Sequence, residues 1–171
     1  MRSIAVYPGS FDPPTFGHLD IVERAARMFD RVIVAVGING QKQPFLPTDA
    51  RIAALTAITR NLPNITIDSF DGLLVDYVRQ QSASVIIRGL RATSDFDYEF
   101  QIAMANRRMA SEIESVFLMT KWEHSYLSSS IVREIARLGG DFSQFVPPEV
   151  AAIVARSLAG SVENDPDAKM V

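Results

Sequence analysis

Short apolar runs alternate with longer amphipathic stretches along most of this chain. Ser3–Tyr7, Arg31–Ile38, Asn64–Asp68, Ser84–Arg88 and Ser115–Met119 are rich in β-branched residues and almost uninterrupted in apolarity, which predicts strands covered on both faces. Helical spacing fills the intervals at His18–Phe29, Asp49–Asn61, Leu73–Gln81 and Asp95–Ala110. Strict alternation of this kind predicts a single doubly wound, Rossmann-like α/β domain: five parallel strands, right-handed crossovers and helices on both faces. Thr48 and Ser94 stand where helix N-caps are expected, and one of Ser128, Ser129 and Ser130 is expected to cap a further helix. A last helix is expected after Pro147-Pro148. The pattern places the domain at residues 1–159 and a disordered tail at residues 160–171, where polar residues replace the periodic apolar face.

Composition narrows the partners. The chain has 171 residues, 47% of them hydrophobic, enough for one core, and carries a formal charge of −3 without a Lys/Arg tract. Nucleic acid is therefore not an expected partner, and a small anionic ligand is. With no cysteine there is no thiolate metal site or disulfide. The opening segment reaches Pro8-Gly9 too soon for a signal-peptide core and no run approaches a membrane span, so a cytoplasmic protein without membrane partners is expected.

Ligands of doubly wound sheets bind beyond the carboxyl ends of the strands. Ser10 and His18 follow the first predicted strand, Lys42 the second, Leu73 and Leu74 the third, Arg88 to Arg91 the fourth, and Ser128 to Ser130 the fifth. Neither G-x-G-x-x-G nor G-x-x-x-x-G-K-[ST] occurs, which argues against a dehydrogenase or a P-loop enzyme. A rim of cations, hydroxyls and helix N-termini suits phosphoryl or nucleotidyl transfer, where catalysis is mostly positioning and charge neutralisation. Each residue also has a plainer role open to it. His18 and Lys42 could be solvated, Arg91 could pair with Asp95 or Asp97, and Tyr98, Glu99 and Asn106, on one helix with the last two seven apart, could contact a base or an amide-containing tail or merely solvate that face. Asp95 and Asp97 are expected to serve the helix start rather than a metal.

Thr15-Phe16-Gly17-His18 and Leu127-Ser128-Ser129-Ser130-Ile131-Val132-Arg133 resemble the [HT]-x-G-H and I-S-S-[ST]-x-x-R signatures of the nucleotidylyltransferase superfamily. Tyr7-Pro8-Gly9-Ser10-Phe11-Asp12-Pro13, Lys42, Arg88-Gly89-Leu90-Arg91, Asp95-Phe96-Asp97-Tyr98-Glu99, Asn106 and Glu114-Ser115-Val116-Phe117-Leu118 make the chain similar to bacterial phosphopantetheine adenylyltransferases from about residue 3 to 158. The resemblance implies transfer of AMP from ATP to 4′-phosphopantetheine with Mg²⁺, giving dephospho-coenzyme A and pyrophosphate. It further implies a homohexamer and coenzyme A as a possible feedback inhibitor.

Carried over by position, His18 and Ser10 would stabilise the transition state at the α-phosphate. Lys42 would orient the attacking phosphate; Ser10, Arg88 and Leu74 would hold phosphopantetheine, with Asn106 and Glu134 along its arm. Arg91, Ser129 and Ser130 would take the β- and γ-phosphates. Phe11, Gly89, Leu90, Glu99, His124, Ser125, Tyr126, Leu127 and Ser128 would frame the nucleotide. Ser10 replaces a frequent threonine, His124 a frequent aromatic residue and Leu127 the usual isoleucine. Transfer to another phosphate acceptor, or nucleotide binding without catalysis, are the alternatives that activity across ATP, CTP and several acceptors would separate.

Overall fold

The computed structural model describes residues 3–38, 40 and 43–163. Five parallel strands, β1 (Ile4–Gly9), β2 (Arg31–Gly37), β3 (Ile65–Phe70), β4 (Val85–Leu90) and β5 (Glu114–Met119), form one sheet in the order β3-β2-β1-β4-β5. Six α-helices accompany them: α1 (Phe16–Met28), α2 (Thr48–Thr59), α3 (Leu74–Gln80), α4 (Thr93–Met109), α5 (Ser129–Arg137) and α6 (Pro148–Glu163).

Strand alternation divides the core. Ala5 and Tyr7 of β1 pack with Val32, Val34 and Val36 of β2 against Ile21, Val22 and Ala25 of α1 and Leu55 of α2. Val6, Ile33 and Ala35 point the other way, onto Val75 and Val78 of α3 and onto Ala110 and Ile113 beyond α4. Both faces are therefore covered, which accounts for the near-continuous apolarity of the strands. The chain winds outward from β1 in one direction to β3 and then crosses to β4, so the switch lies between β1 and β4. A crevice opens there at the carboxyl ends. A third cluster, Leu46, Ala54, Val132, Ala136, Val146, Val150 and Val154, ties α2, α5 and α6 together beside it.

Three sequence expectations change. Thr48 is the first residue of α2 rather than its cap; Pro47 precedes it in extended conformation, and the Thr48 hydroxyl accepts from the Arg51 guanidinium. Ser94 lies inside α4, whose N-cap is Ala92, because the Asp95 carboxylate reaches back to the Arg91 N–H at 3.3 Å and allows an earlier start. α6 continues to Glu163, past the expected boundary at Gly160, since helix propagation from the packed turns around Val150 and Val154 costs little per residue. The expectations for Lys42 and for residues 164–171 lie outside the described residues.

Candidate active site

A cleft of about 450 Å³ occupies the switch point, walled by the β1–α1 turn, the end of β4, the start of α4 and the start of α5. Ser10, Phe11, His18, Arg88, Gly89, Arg91, Glu99, Leu127, Ser128, Ser129 and Ser130 meet on its walls, as expected for residues projecting from strand ends. Tyr7, Thr15, Asp95 and Tyr98 line it from within the motifs quoted above, and Ile21 and Thr120, which the sequence did not single out, line it as well.

The start of α1 sets the chemistry of His18. Thr15 caps this helix in extended conformation, and its backbone N–H donates to His18 Nδ1 at 3.0 Å. An amide can only donate, so Nδ1 carries the lone pair; Thr15 Oγ1, also 3.0 Å away, then donates as well. The proton sits on Nε2, which has no partner among the described residues. Burial, with the Arg91 cation adding to it, lowers the imidazole pKa to about 4, so the ring is neutral at physiological pH and still a donor. Phe11 packs its ring edge-on against His18, with centroids 5.1 Å apart, and against Tyr7 on the other side.

The turn from Ser10 to Pro14 is held from outside. Arg51 on α2 donates to the Ser10 carbonyl at 2.9 Å, Arg133 on α5 to the Asp12 carbonyl at 2.6 Å, and the Ser129 hydroxyl to the Pro13 carbonyl at 2.8 Å. The Asp12 carboxylate accepts from the N–H groups of Phe45 and Leu46 at 2.8 and 2.7 Å. Ser128 caps α5 by accepting from the Ile131 N–H, and Ser129 and Ser130, whose N–H groups have no intrahelical carbonyl to reach, stand at the helix start on the cleft wall.

Each cleft arginine is pinned by three hydrogen bonds. Arg88 makes a bidentate pair with Glu99 at 2.5 and 2.7 Å and donates to the Pro8 carbonyl. Arg91 makes a bidentate pair with Asp95 at 3.0 and 3.2 Å and donates to the Leu127 carbonyl. A guanidinium has five N–H donors, so two on each remain for a ligand while the fork itself is fixed. The sequence alternative in which Arg91 pairs with Asp95 thus coexists with its place in the cleft.

Several expected contacts stand apart from this cleft. Leu74 packs on the core cluster beneath α3, Leu90 is buried with its carbonyl accepting from Thr120, and Asn106 is buried along α4. Glu134 is exposed on α5. His124 stacks on Phe16 with ring centroids 5.9 Å apart, Ser125 donates to the Trp122 carbonyl, and Tyr126 is exposed with its ring edge toward Phe145; all three flank the cleft rather than line it.

Comparison with known proteins agrees with this geometry. The profile of the cytidylyltransferase-like family matches residues 6–135. A phosphopantetheine adenylyltransferase of Geotalea daltonii is 56% identical over 147 residues, covering 86% of this chain and 91% of that protein. Another, from Alkalilimnicola ehrlichii, is 50% identical over 162 residues, covering 94% and 93% respectively. A solved Plasmodium falciparum nicotinic acid mononucleotide adenylyltransferase complexed with NaAD superposes with a TM-score of 0.68 at 15% identity, covering 91% of this chain and 96% of that one, a likeness of fold. On the extent of these matches, this chain belongs to the phosphopantetheine adenylyltransferases of the cytidylyltransferase-like family.

Proposed function

We propose that this chain transfers AMP from ATP to the phosphate of 4′-phosphopantetheine, releasing pyrophosphate and forming 3′-dephospho-coenzyme A, by direct attack of an acceptor phosphate oxygen on the α-phosphorus. The observation that carries this reading is His18, held neutral with Nε2–H free in a cleft that also presents guanidinium and hydroxyl donors, its two carboxylates, Asp95 and Glu99, being taken up by Arg91 and Arg88. Such donors stabilise negative charge growing on phosphate oxygens without entering a covalent intermediate. Ser10 and His18 serve the α-phosphate, and Arg91 with Ser129 and Ser130 the departing pyrophosphate. Arg88 grips phosphopantetheine, whose arm runs toward Leu74 at the start of α3, and Lys42 orients the attacking phosphate. The segment from His124 to Tyr126 closes the nucleotide side.

Magnesium fits as a passenger of the nucleotide. Asp95 and Glu99, the cleft carboxylates, are both engaged by arginine, and the described residues hold no cluster of three His, Cys, Asp or Glu side chains. The Ser129 and Ser130 hydroxyls would hold a hard cation only together with the nucleotide's own phosphate oxygens, and such a cation would supply neutralisation of charge on the leaving pyrophosphate.

Assembly into a homohexamer has support in α4, where Phe96, Phe100 and Met104 recur every fourth residue and are 40%, 46% and 51% exposed. A stripe of large apolar side chains at that spacing suits burial against a second copy. Coenzyme A, which contains the product's pantetheine arm and adenine nucleotide, is proposed to compete for the same cleft. The proposed compartment is the cytoplasm; no helix among the described residues is long and apolar enough to cross a membrane.

Pyrophosphate release measured with ATP or CTP against several phosphorylated acceptors tests the reaction. Preference for ATP with 4′-phosphopantetheine, requiring Mg²⁺, is expected. Trapping an adenylylated side chain during turnover would overturn the direct mechanism.

A further inference from the structure

Arg51 is a buried cation that the proposed reaction leaves unused. It sits on α2, outside the cleft, and is 4% exposed. Its guanidinium donates to the Ser10 carbonyl and to the Thr48 hydroxyl, both at 2.9 Å, and Nε has no partner. Among the described residues no carboxylate lies within 4.0 Å of it. Burying a cation without a counter-charge is costly, and an apolar side chain would fill much of this space without that cost. Something at the Ser10 carbonyl therefore requires a guanidinium.

That carbonyl belongs to a constrained peptide. Phe11 has φ of +48°, a left-handed conformation unfavourable for a bulky residue, and such conformations persist where surrounding contacts over-determine them. In a trans peptide the C=O and N–H point in opposite directions. With the Ser10 oxygen drawn toward Arg51, the Phe11 N–H is turned away from it, and this N–H has no partner among the described residues, although Ser10 and Phe11 both line the cleft. A cation on the carbonyl oxygen also polarises the peptide and strengthens its N–H as a donor.

We propose that Arg51 is a positioning residue for nucleotidyl transfer, fixing and polarising the Ser10–Phe11 peptide so that the Phe11 N–H donates to a phosphate oxygen of the reacting nucleotide. The inference rests on the reaction proposed above. Because the N–H would meet charge that grows during transfer, its loss falls on kcat more than on KM for ATP.

Steady-state kinetics with ATP, 4′-phosphopantetheine and Mg²⁺ test this on Arg51→Met, Arg51→Lys and Thr59→Ala. Thr59 is buried on the same helix, its hydroxyl donating to the Leu55 carbonyl rather than to the turn, so its variant reports a purely structural disturbance of α2. Arg51→Met is expected to lower kcat by about 10²-fold and Arg51→Lys, which keeps charge but loses the fork, by about tenfold, with KM for ATP within about threefold. Thr59→Ala is expected to lower Tm while keeping the parental kcat. Parental kcat in Arg51→Lys, or an equal kcat loss in Thr59→Ala, overturns the proposal. Should Arg51→Met not fold, Arg51→Lys alone decides, with circular dichroism to show its fold intact. His18→Ala, assayed alongside, separates the two readings: a parental rate there removes the assigned site, whereas a slow His18→Ala with a fast Arg51→Lys removes only the role of Arg51.

Discussion

At the scale of single residues, Thr15 decides what His18 can do. By giving its N–H to Nδ1, it leaves the imidazole one donor, Nε2–H, and one protonation state. His18→Ala is expected to lower kcat by about 10²- to 10³-fold with little change in ATP affinity, as for removal of one oxyanion donor, checked by steady-state kinetics and nucleotide titration. The pKa near 4 bears on stability as well, because the unfolded chain binds a proton on this ring near pH 6.5 and the folded chain resists doing so. Its contribution is present above about pH 6.5 and is lost as pH falls from there toward about 4. Urea unfolding across pH 4–8 should show a steeper acid loss in the parent than in His18→Ala.

At the scale of elements, α4 supplies counter-ions to the end of β4, since Asp95 and Glu99 each hold one arginine of the Arg88–Arg91 stretch. Glu99→Ala leaves the Arg88 guanidinium, 22% exposed, without its bidentate partner. A loss of about 1–3 kcal/mol in unfolding free energy is expected from urea titration. The five strands and most helix limits were legible because fully covered strands write their burial as unbroken apolar runs. His18, Arg88 and the serine run were legible because strand-end loops of such a sheet converge. Helix starts were less so: Thr48 and Ser94 have the chemistry of caps, but Thr48 serves Arg51, and the Asp95 carboxylate moves the start of α4 forward. Arg51 and Arg133 carried no local signal for gripping the turn, because their partners are backbone carbonyls, which every residue possesses.

At the scale of the whole molecule, the apolar stripe on α4 and the end of α6 can be tested separately. Phe100→Asp combined with Met104→Asp should lower the mass observed by sedimentation velocity, since each charge would enter the proposed contact between copies. Deleting residues 164–171 should leave turnover within about twofold, because the packing residues of α6, Val150 and Val154, lie well before the cut.

The clamp on the Ser10–Pro14 turn joins partners 41, 116 and 121 positions apart. Loops of that size close late and slowly compared with helices or neighbouring strands. A refolding chain can therefore regain its circular dichroism with β1 to β4 and their helices in place while the turn still lacks Ser129 and Arg133. Recovery of turnover should lag behind recovery of secondary structure in a stopped-flow double-jump. During synthesis, the Ser10–Pro14 turn emerges among the first residues but stays incomplete until α5 has left the ribosome, so a nascent chain holding His18 is not yet an enzyme.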